Sequence, residues 1–176
     1  MDWDSRYRSG AHAGDEPLPL LVQLADELRP GRALDVACGP GRHALYLARL
    51  GWQVTAVDSS AVAVAMLRRR AGERGLTIDA RETDLTAYRI PADTYDLICD
   101  FFYLQRDLFP EIRAGLRPGG TLVAALHVEG GAPGSYLLRS GELRAQFADW
   151  RILHYSERLP ADGHRRAVAE IIARRA

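Results

Sequence analysis

Asp35 and Asp58 stand on either side of a glycine turn, Gly39-Pro40-Gly41, and that arrangement has a defined chemistry. Glycines let the backbone bend sharply and let a ligand lie against it, and free N–H groups at a following helix start attract anionic groups. Asp58 comes 19 positions after Gly39, where an acid at the end of a second strand can accept both hydroxyls of a ribose. A serine pair, Ser59-Ser60, follows at once and supplies a helix cap.

Two cofactor types use such a turn. Gly39-x-Gly41-x-x-Ala44 satisfies the dinucleotide fingerprint formally, but the glycines alone are a weak signal. Asp35 separates the readings, because an acid four residues before the central glycine belongs to the E/D-x-G-x-G-x-G pattern of S-adenosylmethionine enzymes, whereas nicotinamide-type first strands run apolar up to the glycines. Ala37 replaces the first glycine of that pattern, which is expected to crowd the loop slightly.

The elements that must hold these residues follow from periodicity. Residues 33–36 and 54–57 read as buried strands, and the helical spacing of Leu45, Ala48 and Leu50 joins them into a βαβ unit. Leu20, Leu21, Leu24 and Leu28 mark a helix over 17–28. A second helix runs from the serine cap to Arg74, and its Arg68-Arg69-Arg70 is expected to be a solvated surface. Further strands are expected at 77–82, 95–99 and 121–126, with a helix at 106–116 and a turn at 117–120. A short helix at 141–147 precedes strands at 150–157 and 166–174, with Pro160-Ala161-Asp162-Gly163 as a hairpin turn. Trp3 and Tyr7, four apart, share a helical face, so residues 1–16 form either a flap over a ligand or an anchor on the domain surface.

At 176 residues the expectation is one domain over 1–176. Acidic and basic residues number 23 each, so no global field draws the chain to nucleic acid or an anionic membrane. No run of 18 apolar residues occurs and the start is polar, which predicts a cytoplasmic protein that does not span a membrane. Cys38 and Cys99 are then expected to stay reduced. All 23 basic residues are arginine; without lysine, Schiff-base and P-loop chemistry are excluded.

The chain resembles class I S-adenosylmethionine-dependent methyltransferases, and among them the compact tellurite-resistance-type group. The resemblance rests on WDSRY, LDVACGPGRHALYLARLGWQVTAVDSS, YDLICDFFYLQ, LRPGGTLV and GELRAQFADWRILHYSE with GHRRAVAEIIAR. It implies a Rossmann-like α/β/α sandwich whose seven-stranded, mostly parallel sheet has the order 3-2-1-4-5-7-6, with strand 7 antiparallel. It implies cofactor contacts at Ala37, Cys38, Gly39 and Gly41 for the methionine part, Asp58 and Ser59 for the ribose, and Asp84 and Leu85 for the adenine. Phe101 would lie beside the sulfonium, Trp3 and Tyr7 would form an N-terminal lid, and His164 and Arg165 on the last hairpin would face the acceptor.

His127 at the end of the fifth strand joins His164 as a candidate base, needed only if the acceptor is a hydroxyl or an amine. The segment Asp100-Phe101-Phe102-Tyr103 lacks the N/D/S-P-P-Y/F pattern of nucleobase amino methylation, and no Pro-Cys occurs, so the expected substrate is a small molecule rather than nucleic acid. Asp100 alone does not make a metal site. The expected state is a monomer or homodimer. The alternatives are an NAD-dependent oxidoreductase and a non-catalytic module that binds the adenosyl cofactor.

Overall fold

The structure, a computed structural model, describes residues 2–10, 14–129, 136–158 and 166–176. Seven strands form one sheet in the order β3-β2-β1-β4-β5-β7-β6, as expected, and β7 runs antiparallel to both of its neighbours. The chain divides into two compact units, residues 1–88 and 89–176.

In the first unit, α1 (Trp3–Arg8) and α2 (Pro19–Ala25) precede β1 (Arg32–Val36), α3 (Arg42–Arg49), β2 (Gln53–Asp58), α4 (Ala61–Glu73) and β3 (Ile78–Glu82). Asp2 caps α1 by accepting the Ser5 N–H at 3.3 Å, and Pro19 opens α2, where its missing N–H costs nothing. The strands β1, β2 and β3 are parallel, pairing Leu34 with Thr55 and Val54 with Ile78. Buried Leu34, Leu47 and Leu67 fill the space between strands and helices. Each such side chain taken out of water is worth about 1.5–3 kcal/mol.

In the second unit, β4 (Tyr95–Phe101), α5 (Leu108–Gly115) and β5 (Leu116–His127) lead to α6 (Glu142–Gln146), β6 (Arg151–Arg158) and β7 (Val168–Arg174). The segment 117–120, expected to be a turn, is instead the bulged start of β5. Tyr95 pairs with Leu116 and Leu97 with Thr121, so the extra residues are absorbed without ending the strand. The antiparallel ladder of β5, β7 and β6 pairs Leu122 with Ala173 and Tyr155 with Ile171. Phe147 is fully buried against Phe109 and Trp150, with Arg113 lying over both Phe147 and Trp150. Among the described residues no helix is long and apolar enough to cross a membrane.

Candidate cofactor site

The strand β1 delivers Asp35, and the chain then turns through Ala37, Gly39 and Gly41, all with positive φ (51°, 53° and 87°). The Cys38 N–H continues the ladder by donating to the Val57 carbonyl at 3.0 Å, and the Gly41 N–H donates back to the Cys38 carbonyl at 3.0 Å, closing a tight turn. At Gly41 only glycine fits, because a Cβ there would lie 2.2 Å from Leu67 Cδ1 of α4. Ala37 does more than crowd the loop. It adopts a left-handed conformation that costs an L-residue about 1–2 kcal/mol. Ala37→Gly is therefore expected to raise stability by about 0.5–1 kcal/mol once the greater freedom of an unfolded glycine is subtracted. Urea denaturation of the two proteins checks this.

The two acids hold the turn from both sides. The α3 helix begins at Gly41 with no side-chain cap of its own, and Asp35 Oδ2 accepts the Ala44 N–H at 3.1 Å, satisfying one of the donors a helix start leaves over. Asp58 Oδ2 accepts the Gly39 N–H at 2.8 Å, and its Oδ1 accepts the Ser60 N–H at 2.9 Å. A carboxylate has about four lone-pair positions, so each oxygen of Asp58 keeps capacity for a ligand hydroxyl. Burial, reinforced by Asp58, pushes the Asp35 carboxyl up to about 7, and burial likewise raises Asp58. Cys38 and Cys99 are both buried. Burial, with Asp35 and Asp58 beside it, pushes the Cys38 thiol well up, which leaves little thiolate to react.

The helix α1 covers this turn. Trp3 and Tyr7 do share a face, with ring centroids 5.8 Å apart, and Tyr7 is buried. A Cβ on Gly39 would lie 3.1 Å from the Tyr7 hydroxyl, so the phenol rests directly on the glycine backbone. Burial, with Asp58 and Cys38 adding to it, raises the phenol well above its ordinary value and keeps it neutral. Asp4 accepts a hydrogen bond from the Ser60 hydroxyl, which joins α1 to the start of α4. Ser60, not Ser59, is the cap of α4 and accepts the Ala63 N–H at 3.0 Å; Ser59 is exposed. Beyond β3, Thr83 donates its N–H to the Asp58 carbonyl at 2.8 Å. Asp84 then closes its own turn on the Thr86 N–H at 2.9 Å, which with the Thr86 hydroxyl holds its carboxyl below the usual range, and Leu85 is buried.

In the second unit, Phe101 is buried at the end of β4 and His127 ends β5. Phe102 has φ 63°, and its N–H donates to the Ala125 carbonyl at 2.8 Å. That turn stacks its ring on His127 with centroids 5.0 Å apart. His164, Arg165 and the hairpin turn lie outside the described residues.

The arginine run is not a solvated face throughout. Arg69 is exposed beside Glu73, but Arg68 donates to the Ala80 carbonyl at 2.6 Å, and Arg70 is buried with its Nη1 2.6 Å from the Pro40 carbonyl. The signal for Arg70 was present, since it falls three residues after Leu67 on the stripe of Ala63, Val64 and Leu67.

Residues 20–168 match the model of the family described as tellurite resistance protein TehB. The chain belongs to the TehB family. A TehB from Haemophilus influenzae, named as a probable S-adenosyl-L-methionine-dependent methyltransferase, is 30% identical over 169 residues, which cover 89% of this chain and 57% of that one. Hemagglutinin 1 of Eikenella corrodens is 36% identical over 149 residues, 78% of this chain and 49% of its own. The chain thus spans about half the length of these relatives. The crystal structure of Haemophilus influenzae TehB superposes with a TM-score of 0.82 over all of this chain and 68% of that one, at 24% identity. A Burkholderia thailandensis 1,6-didemethyltoxoflavin-N1-methyltransferase, solved with S-adenosylhomocysteine, gives a TM-score of 0.76 at 20% identity over 98% and 84% of the two chains. At those identities the two structures attest the fold that the TehB family shares.

Proposed function

We propose that this chain is an S-adenosylmethionine-dependent methyltransferase that acts on a small-molecule acceptor, a soft or anionic nucleophile, with residues 1–176 serving as one catalytic domain. Membership of the TehB family supports the reading. The observation that carries it is the left-handed turn over 37–41 held between two buried carboxylates. The residues fit the cofactor: the glycine backbone at Gly39 already receives an aromatic ring in contact, and Asp58 retains acceptor capacity beside it.

When bound, the cofactor supplies a sulfonium methyl group whose transfer leaves a neutral thioether. Ala37, Cys38, Gly39 and Gly41 would cradle its methionine part, Asp58 and Ser59 its ribose, and Asp84 and Leu85 its adenine. Trp3 and Tyr7 would exclude water, and a neutral phenol does this without adding an anion beside Asp58. Phe101 would face the methyl donor, since aromatic faces favour cations. His127, His164 and Arg165 are assigned to the acceptor side. An arginine there orients an oxyanion or thiolate by charge, and the imidazole of His127 takes a proton only from a hydroxyl or amine acceptor.

Turnover on thiols, selenite, tellurite and phenols tests the assignment. His127→Ala is expected to slow phenol methylation about 100-fold, the scale of general base catalysis, and to leave an already anionic acceptor within a few-fold. Equal rates on every acceptor would remove His127 from the chemistry, and no turnover on any of the four would favour a non-catalytic binding module.

A further inference from the structure

A buried arginine in a chain with no cofactor phosphate to grip needs a reason, and the contacts of Arg70 supply one. Its guanidinium, with a side chain only 9% exposed, reaches from α4 to the crest of the glycine turn and donates to the Pro40 carbonyl at 2.6 Å. The same peptide unit presents the Gly41 N–H on its opposite edge, where it donates to the Cys38 carbonyl at 3.0 Å. A peptide is planar and its two polar groups point opposite ways, so the two hydrogen bonds pin the plane from both edges. Leu67, one helical turn before Arg70, closes the third side against Gly41. The charge of Arg70 is balanced from the N-terminal segment: Asp15 pairs with Arg70 and, at 2.7 Å, with Arg74. A hydrogen bond to a charged donor is about twice as strong as a neutral one, and a buried cation without its partner is costly.

We infer that Arg70 is a positioning residue for the cofactor: it fixes the Pro40–Gly41 peptide, and so the direction in which the turn presents its backbone, with Asp15 as its counter-charge. The inference rests on the cofactor reading above and gives a function to an arginine buried against the glycine turn. The orientation of this one peptide couples α4 and the segment at Asp15 to the ligand surface of the turn.

The test uses the full chain, with S-adenosylhomocysteine as the probe, and variants Arg70→Met and Arg70→Lys. Calorimetric affinity is read beside urea stability and the hydrogen exchange of the Gly41 amide in the ligand-free protein. Arg70→Met should weaken binding tenfold or more and speed Gly41 exchange at least tenfold, and Arg70→Lys, which keeps a charged donor, should recover most of both. Phe109→Leu, a core change in the other unit, serves as a control of matched stability loss and should leave affinity and Gly41 exchange unchanged. Wild-type affinity and Gly41 exchange in a folded Arg70→Met would overturn the inference, as would an equal affinity loss in the Phe109 control. If the wild type fails to bind the probe, the cofactor reading fails, and Gly41 exchange alone still decides whether Arg70 holds the peptide. Should Arg70→Met not fold, Asp15→Asn carries the comparison: faster Gly41 exchange is expected there, and unchanged exchange would contradict the role.

Discussion

Asp35→Asn is expected to stabilise the ligand-free protein at pH 8 by about 2–4 kcal/mol and to change it little at pH 4, on the scale of 1.36 kcal/mol per unit of pKa difference. Burial raises the folded-state value of Asp35 from 3.8 to about 7. The folded protein therefore binds the proton more tightly than the unfolded chain does. The stability this group contributes is complete below the unfolded value, declines as the pH rises, and is gone once the pH has passed about 7. Above that point the wild type carries a buried charge, and the asparagine variant does not. The amide oxygen of the substituted side chain still accepts the Ala44 N–H, so the start of α3 stays satisfied. His43, whose imidazole burial lowers to about 3, makes both proteins less stable as the pH falls through the unfolded value near 6.5, and it cancels in the difference. Denaturant midpoints of the two proteins from pH 4 to 8 check the sign. A constant difference across that range would show that Asp35 does not titrate between them. The stabilised variant should bind cofactor more weakly, because the carboxylate beside the glycine turn is the negative charge that suits a cationic ligand. Stability held back at a binding site is a common trade.

Asp58→Ala is expected to lower stability as well as affinity. Two buried backbone donors, the Gly39 and Ser60 N–H groups, lose their acceptor at once. Leaving a buried donor unmade costs about 1–3 kcal/mol, so a stability loss of about 2–4 kcal/mol follows with partial relaxation. Cofactor affinity should fall by about 1.5–3 kcal/mol, the range for a hydrogen bond to a charged group, which is a loss of roughly ten- to a hundredfold. Urea denaturation and calorimetric titration with S-adenosylhomocysteine measure the two effects separately. A folded variant with wild-type affinity would end the ribose assignment, whatever its stability.

Much of the first unit was legible in the sequence, because its signals are local. Alternating strand and helix patterns with Gly-Pro-Gly between them fix β1 and β2 to within about a residue and place α3 between them. The acids mark the strand ends by type. What Asp35 and Asp58 do to the turn was not legible, since the hydrogen bonds from Ala44 and Gly39 join residues nine or more positions apart across a fold that must form first. The bulge at 117–120 reads as a turn because Arg-Pro-Gly-Gly has turn composition, and only pairing with Tyr95 and Leu97 keeps it in β5. Arg70 was hidden by its neighbours: three consecutive arginines spread around a helix, so one of them had to share the side of Leu67, and that one is buried. The seat of Tyr7 on Gly39 depends on where α1 docks, and the spacing of Trp3 and Tyr7 does not carry that information.

The most direct measurement is calorimetric titration of the wild-type protein with S-adenosylhomocysteine and, separately, with NAD. Binding of S-adenosylhomocysteine at one site per chain, abolished or weakened at least tenfold in Asp58→Ala, with no binding of NAD, is the result expected of the methyltransferase reading. Saturable binding of NAD in place of the adenosyl ligand, or adenosyl binding that Asp58→Ala leaves untouched, would contradict it.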